Sequence, residues 1–255
     1  MVKPYIVKFI SSKSDVGKTR IASSVVSILK SRGYVVGVVK HCSQGIDIED
    51  KDSHIYLRSG ADFVVASSRD IGIVYYSKWV DSLQHVIAYI DTPIIIVEGF
   101  KESSIGDTVV VSENIKEALT IDTEHKAIAY VIKELGEELN QISNNVYTLS
   151  DTEKLSNLIE EKALSYIYSQ LPQINCGYCG FNTCIELALA YAKGLARDCP
   201  MKTNTKVIVN NKEIELNPFV KRILKSIILG FIGELKGVPK ERKNVIIKIE
   251  DEIIG

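Results

Sequence analysis

Gly17-Lys18-Thr19, standing between an apolar run and a helical one, constrains this chain more than any other stretch. The apolar run is Tyr5–Ile10, the helical run extends from Thr19 to Arg32, and the join is Ser11-Ser12-Lys13-Ser14-Asp15-Val16. A strand, a tight loop and Gly-Lys-Thr at a helix start is the layout of a phosphate-binding P-loop. Main-chain N–H groups there curl round phosphate oxygens, and the helix N-terminus adds partial positive charge. The candidate nucleotide site is therefore Ser12, Lys13, Ser14, Asp15, Val16, Gly17, Lys18, Thr19 and Arg20. Lys18 is placed to reach the outer phosphates, and the Thr19 hydroxyl to sit on Mg²⁺. A chance Gly-Lys-Thr at an ordinary helix cap would explain neither the strand before it nor the helix after it. One position departs from G-x-x-x-x-G-K-[ST]: Ser12 stands where a glycine usually relaxes the turn, so a different loop entrance is expected.

The rest of the first 150 residues alternates short apolar runs with helical patterns. Strands are expected at Tyr34–Lys40, Phe63–Ala66, Ile71–Tyr75, Ile94–Val97, Val109–Val111 and Ala127–Ile132. Helices are expected at Thr19–Arg32, closed by Gly33, and at Trp79–Ile90. Runs such as Val35-Val36-Gly37-Val38-Val39 and Ile94-Ile95-Ile96-Val97 do not alternate with polar residues. Strands buried on both faces read that way, so the expected class is α/β, with a mostly parallel sheet between helices. Such sheets bind ligands at their C-terminal strand ends. Lys40-His41-Cys42 follows the second strand, ahead of an acidic loop with Asp47, Asp50 and Asp52; Glu98-Gly99-Phe100-Lys101 follows the fifth. Glu98 is the candidate Walker-B carboxylate, holding Mg²⁺ or polarising an attacking water, with Asp52 as its companion. Taken singly, the loop aspartates read equally well as solvated, His41 as a hydrogen-bonding residue, and Cys42 as a small buried hydrophobe.

The 31 Lys and Arg residues nearly balance the 32 Asp and Glu, giving a net charge of −1. Nothing in that balance draws the chain to nucleic acid or to an acidic membrane surface. No run is apolar enough for a secretory leader or a bilayer span, so a cytoplasmic protein with neither partner is expected.

Four of the five cysteines crowd between Cys176 and Cys199. They follow a helix expected from Ser150, with a Ser150–Glu153 capping box, to about Tyr168, which Gln170-Leu171-Pro172 breaks. Two domains are expected, 1–169 and 170–255. Cys176, Cys179, Cys184 and Cys199 are separated by two, four and fourteen residues, and Cys199 precedes proline. Three close thiolates and a remote fourth suit a [4Fe-4S] cluster, one ligand per iron. A Cys₄ zinc site more often uses two separated Cys-x-x-Cys pairs, and a disulfide framework suits a secreted chain. Cys184 to Lys193 reads as an apolar helix whose N-terminus points at the cluster. A hairpin around Asn210-Asn211, a helix from Asn217 to Leu235 and a strand Val245–Ile249 complete a small α+β unit. Most of that helix is apolar. It suits a membrane surface, but more readily a buried position over the small sheet.

The P-loop, the "GVVKH" strand end, "KDSHIYLRSGAD" and "IIIVEGFK" together resemble the molybdopterin-guanine dinucleotide biosynthesis protein B (MobB) family, over roughly residues 4 to 150. The resemblance implies a GTP-binding P-loop protein, usually dimeric. It would assist the guanylyltransferase that attaches GMP to molybdopterin in molybdenum or tungsten cofactor synthesis. Carried over with it are the loop from Ser12 to Thr19, Lys40-His41, Asp52, Ser53 and Glu98 to Lys101. Cys42-Ser43-Gln44 replaces the further histidines that many members carry, and no Asn-Lys-x-Asp guanine-reading motif is present. Lys13 occupies the place of the lysine that reaches across a dimer in ParA-like "deviant" P-loop ATPases. The cysteine segment is similar to the four-cysteine [4Fe-4S] domain of corrinoid iron-sulfur proteins and of an electron-transport ferredoxin subunit. The expectation is a slow GTPase acting as adaptor, with no arginine finger in its motifs. Its rival is a nucleotide-gated electron carrier or metallocluster-maturation ATPase.

Overall fold

The structure is a computed structural model and describes residues 2–13, 15–42, 45–46, 52–134, 145–196, 198–201, 205–214, 216–239, 244–247 and 249. Chain contacts divide it into two compact units: residues 1–175 with 181–198, and residues 176–180 with 199–255.

Six strands make the sheet of the first unit: β1 (Tyr5–Ile10), β2 (Val36–Lys40), β5 (Ile94–Glu98), β6 (Asp107–Ser112), β7 (Ala129–Ile132) and β8 (Asn145–Tyr147). Their order is β2-β5-β1-β6-β7-β8, and every pairing is parallel. The expected α/β architecture is present. Side chains of Val7, Phe9, Ile94 to Val97, Val109 to Val111 and Ala129 to Ile132 are buried, which is why these runs lack polar alternation. Helices α1 (Lys18–Ser31) and α5 (Thr152–Ser169) pack side by side and against β1. Gly33, at φ 84°, closes α1 as expected: its N–H bonds the Lys30 carbonyl while that of Tyr34 bonds Leu29. Other residues of β1, β2, β5 and β6 meet α3 (Leu83–Ile87) and α4 (Ile115–Ile121) in two apolar clusters.

Several elements differ from expectation. Residues 63–76 do not join the parallel sheet; β3 (Phe63–Ser67) and β4 (Gly72–Tyr76) pair antiparallel as a separate hairpin. A four-residue connection permits only that pairing, since a parallel pair needs a long crossover. Helix α2 (Asp52–Arg58) precedes it. The helix expected from Trp79 starts only at Leu83, because the Ser82 side chain caps it by accepting the His85 N–H. Trp79 instead joins an aromatic group with Tyr76, His85 and Tyr89. Helix α5 is capped from Asp151 rather than Ser150, and Asp151 turns its carboxylate back to the Thr148 N–H and hydroxyl. Helix α6 (Cys184–Ala192) packs on α5 through its buried small side chains, and the Ala192 carbonyl accepts the Val35 N–H.

In the second unit β9 (Val207–Val209) and β10 (Lys212–Ile214) form the expected hairpin. Asn210 and Asn211 turn it at positive φ, as a type I′ turn requires. Helix α7 (Pro218–Gly233) starts at the Asn217 cap. It is not buried as expected: Phe219, Ile227 and Phe231 are each about 60% exposed or more. Two strands of three residues offer too little surface to cover it. The described residues between 245 and 249 are not a strand. No helix among the described residues is long and apolar enough to cross a membrane.

Candidate functional site

Three adjacent strands of the first unit, β2, β5 and β1, end side by side, and the register pairs Lys40 with Glu98 and Glu98 with Phe9. The loop after β1 rises over these ends and returns into α1. The cavity between them has a volume of about 710 Å³, and Ser11, Lys18, Thr19, Lys40, Glu98 and Lys101 are among its lining residues. Asp15 and Arg20 line it too. Gly17 caps α1 at φ 95° and has no side chain to accept a hydrogen bond from the first turn. The cap position thus leaves the first N–H groups of a fourteen-residue helix to another acceptor, the condition for anion binding at a helix start. A side chain at Gly17 would suffer the left-handed backbone and press on Leu149 at 3.1 Å.

The Thr19 hydroxyl donates to Glu98 Oε1 at 2.7 Å, and Lys40 Nζ lies 3.3 Å from the same oxygen. The structure therefore brings together the two residues expected to hold Mg²⁺. A hydroxyl and a carboxylate are hard oxygen donors and fit that ion. Lys18 donates to the Ser11 hydroxyl and, at 3.0 Å, to the Lys13 carbonyl. Burial pulls the Lys18 ammonium below its ordinary pKa, against the opposing pull of Glu98 and Asp15. Val16 is buried, so only its main chain can serve a ligand. Ser12 and Lys13 turn away from the cavity: both reach Glu117 on α4. Ser14 and the side chain of Asp52 lie outside the described residues, as does the loop carrying Asp47 and Asp50.

His41 projects from the end of β2, stacked on Phe100 at 4.3 Å between centroids, and its Nε2 lies 3.0 Å from Asp81 Oδ2. Gly99, at φ 100°, makes room for it, since a Cβ there would stand 2.8 Å from that of His41. Asp81 and Glu117 are among the members of this region that the sequence did not single out, with Glu102 and Ser103 of the cavity lining. An Asn114-Ile115-Lys116-Glu117 capping spacing was the available signal for Glu117, and the Asn114 side chain does accept the Glu117 N–H at 3.0 Å. Asp81 carries no such signal.

None of the five cysteines is in a disulfide; Cys184 and Cys199 are buried, Cys179 is half-buried and Cys176 is exposed. Gly177 and Gly180 take positive φ, and Gly180 N–H bonds the Gly177 carbonyl in a tight turn. The N-terminus of α6 is engaged locally: Thr183 accepts the Glu186 N–H and Asn175 that of Cys184. Among the described residues, which include all four thiols, no three His, Cys, Asp or Glu side chains are placed to share a metal ion. The thiols fit an iron-sulfur group in chemical type and number, and the structure does not gather three of them.

Residues 6–134 match the family model "Molybdopterin guanine dinucleotide synthesis protein B", and residues 171–201 match "Putative Fe-S cluster". The chain is 29% identical over 248 residues to a Methanocaldococcus jannaschii protein, covering 94% of each chain; that relative is described as "Putative molybdopterin-guanine dinucleotide biosynthesis adapter protein". Among solved structures, it is similar to a MobB protein homolog from Bacillus stearothermophilus, at 18% identity and a TM-score of 0.47 over 63% of this chain and 98% of the other. It is similar also to Bacillus subtilis MobB, at 19% identity and a TM-score of 0.49 over 62% and 97%.

Proposed function

The chain belongs to the molybdopterin guanine dinucleotide synthesis protein B family, and from that premise we propose that it is a GTP-binding adaptor of molybdopterin-guanine dinucleotide synthesis. What supports a nucleotide site is one arrangement: Thr19 and Glu98 in contact at 2.7 Å beside an α1 start whose cap residue, Gly17, has no side chain to cap it. The N–H groups from Lys13 to Thr19 bind the β-phosphate, and Lys18 exchanges its bonds to Ser11 and Lys13 for phosphate oxygens. Thr19 and Glu98 hold Mg²⁺, which neutralises phosphate charge when bound. Arg20, Lys40 and Lys101 add positive charge round the cavity. Asp52 completes the metal or water site. Hydrolysis is slow, and the protein presents its nucleotide or the pterin to a guanylyltransferase as a cytoplasmic homodimer.

Residues 1–169 carry the nucleotide and 170–255 an iron-sulfur group. The cluster is of the [4Fe-4S] type on Cys176, Cys179, Cys184 and Cys199, and it serves redox chemistry or docking. The match of residues 171–201 to an iron-sulfur family model supports the presence of an iron-sulfur group, and the count of four thiols carries the rest of the proposal.

Calorimetric titration of GTP with Mg²⁺ tests the nucleotide site. Lys18→Ala is expected to lose at least tenfold in affinity while its circular dichroism spectrum stays that of the parent. Unchanged affinity in that variant refutes the assignment.

A further inference from the structure

Position 12 of the loop departs from glycine, and Glu117 gives that departure a purpose. Glu117 lies in the first turn of α4, on the strand-end side of β6, with its side chain only 14% exposed. Four groups converge on its carboxylate. The Ser12 hydroxyl donates to Oε1, and Lys13 Nζ lies 3.4 Å from that same oxygen. The Ser112 hydroxyl at 3.1 Å and the Glu113 N–H at 3.3 Å donate to Oε2. The Ser12 hydrogen bond, with those of Ser112, Lys13 and Glu113, outweighs burial and holds the carboxyl below the usual range, so the charge persists at neutral pH. Lys13 is thus held at both ends. Its carbonyl faces inward to Lys18 and Ser11, while its ammonium is drawn outward to Glu117.

We propose that Glu117 is a positioning residue of the nucleotide site, which uses Ser12 to fix the loop entrance and holds the Lys13 ammonium away from the phosphate cradle until a triphosphate displaces it. This role presupposes the nucleotide site proposed above. The Ser12 bond is short-range and neutral on one side, so it sets geometry. The Lys13 pair is an exposed ion pair, with the lysine side chain 70% exposed, and such pairs exchange partners at little cost. A triphosphate brings several negative charges to a helix start that already favours them, so it outcompetes one carboxylate for the same ammonium. Lys13 therefore acts within its own chain: Glu117 restrains it, and nucleotide releases it.

The test is a double-mutant cycle read by calorimetric titration of GTP with Mg²⁺ into the full-length protein, Glu117→Gln, Lys13→Ala and the double variant. Glu117→Gln removes the charge and keeps the side-chain shape: its amide oxygen can still accept from Ser112 and the Glu113 N–H, while its N–H₂ donates to the Ser12 hydroxyl, so it is expected to fold. It should tighten GTP binding about two- to fivefold, the range of an exposed ion pair. Lys13→Ala should weaken binding, and in the Lys13→Ala background Glu117→Gln should bring no gain. An equal gain in both backgrounds means that the carboxylate repels phosphate directly, and overturns the restraint on Lys13. No change or a loss in Glu117→Gln overturns it as well. Failure of the unmodified protein to bind GTP removes the nucleotide site itself, a result distinct from either. A second readout needs no variant: acetylation of Lys13 by an amine-reactive ester, followed by mass spectrometry, should fall when GTP and Mg²⁺ are added. Unchanged reactivity contradicts the exchange.

Discussion

In the first unit, β5 reads Ile94-Ile95-Ile96-Val97, and all four side chains are fully buried. In the second, nine of the sixteen residues of α7 are Phe, Val, Ile or Leu, yet Phe219, Ile223, Ile227 and Phe231 are all exposed. The four recur at i, i+4, i+8 and i+12, one stripe along a helix. Both regions carry large apolar side chains, and what differs is whether the chain supplies a surface to cover them. Two neighbouring parallel strands, β2 and β1, in a sheet with helices packed against it, make a core for β5. Two strands of three residues make none for α7, and among the described residues from 199 onward only Cys199 is a buried hydrophobe. Units this small usually need a staple such as a metal or a partner. The first unit can fix a site by its own packing, whereas the second has little core and holds three of the four clustered cysteines, Cys176, Cys179 and Cys199.

Substitutions should therefore be costly in one unit and nearly silent in the other. Phe9→Ala removes a fully buried ring from β1 and should cost about 3–5 kcal/mol, seen as a large drop in melting temperature. A drop no larger than that of a surface variant would show that the core is loose. Gly99→Ala places a Cβ 2.8 Å from that of His41 in a left-handed backbone, and should cost about 1–3 kcal/mol. Its GTP affinity should fall as well, because Gly99 follows Glu98 directly; a neutral result would separate this turn from the site.

Acid should reveal a smaller effect. Burial pushes the Asp122 carboxyl up, but the Tyr130 hydroxyl and the Ala127 and Lys126 N–H groups outweigh it and hold its pKa below the ordinary value. A depressed carboxyl adds stability above its unfolded pKa of about 4 and loses it as pH falls through the folded one. The carboxyl is only half-buried and screened by solvent, so the contribution is no more than about 1 kcal/mol. Melting curves between pH 6 and pH 3 should fall more steeply for the parent than for Asp122→Asn, and parallel curves would exclude this carboxyl. Smallest of all is Ile227→Ala on the open stripe of α7, expected within about 0.5 kcal/mol of the parent. A loss above 1 kcal/mol would show that a partner covers this helix in solution.

The same contrast explains what the sequence disclosed. The parallel sheet was legible because strands buried on both faces lose their polar alternation, and the P-loop because its glycine, lysine and threonine have fixed spacing. The pairing of Thr19 with Glu98 followed from both, since ligands sit at strand ends. Helix α4 was missed because seven residues carry too little periodicity, and Glu117 with it. The hairpin of β3 and β4 was visible as strands, but not as a sheet of its own, because pairing depends on connection length rather than on composition. For α7 the pattern gave a helix and the wrong surroundings, since no sequence signal says what a neighbouring hairpin is wide enough to cover.

Equilibrium titration of GTP and Mg²⁺ into anaerobically purified, iron-loaded protein, repeated after the iron is chelated away, tests most directly whether the first unit makes the nucleotide site by itself. The expected result is one dissociation constant in both preparations, with rising protease sensitivity confined to residues beyond 199 in the stripped one. Binding that disappears with the iron, or that never appears, would contradict it.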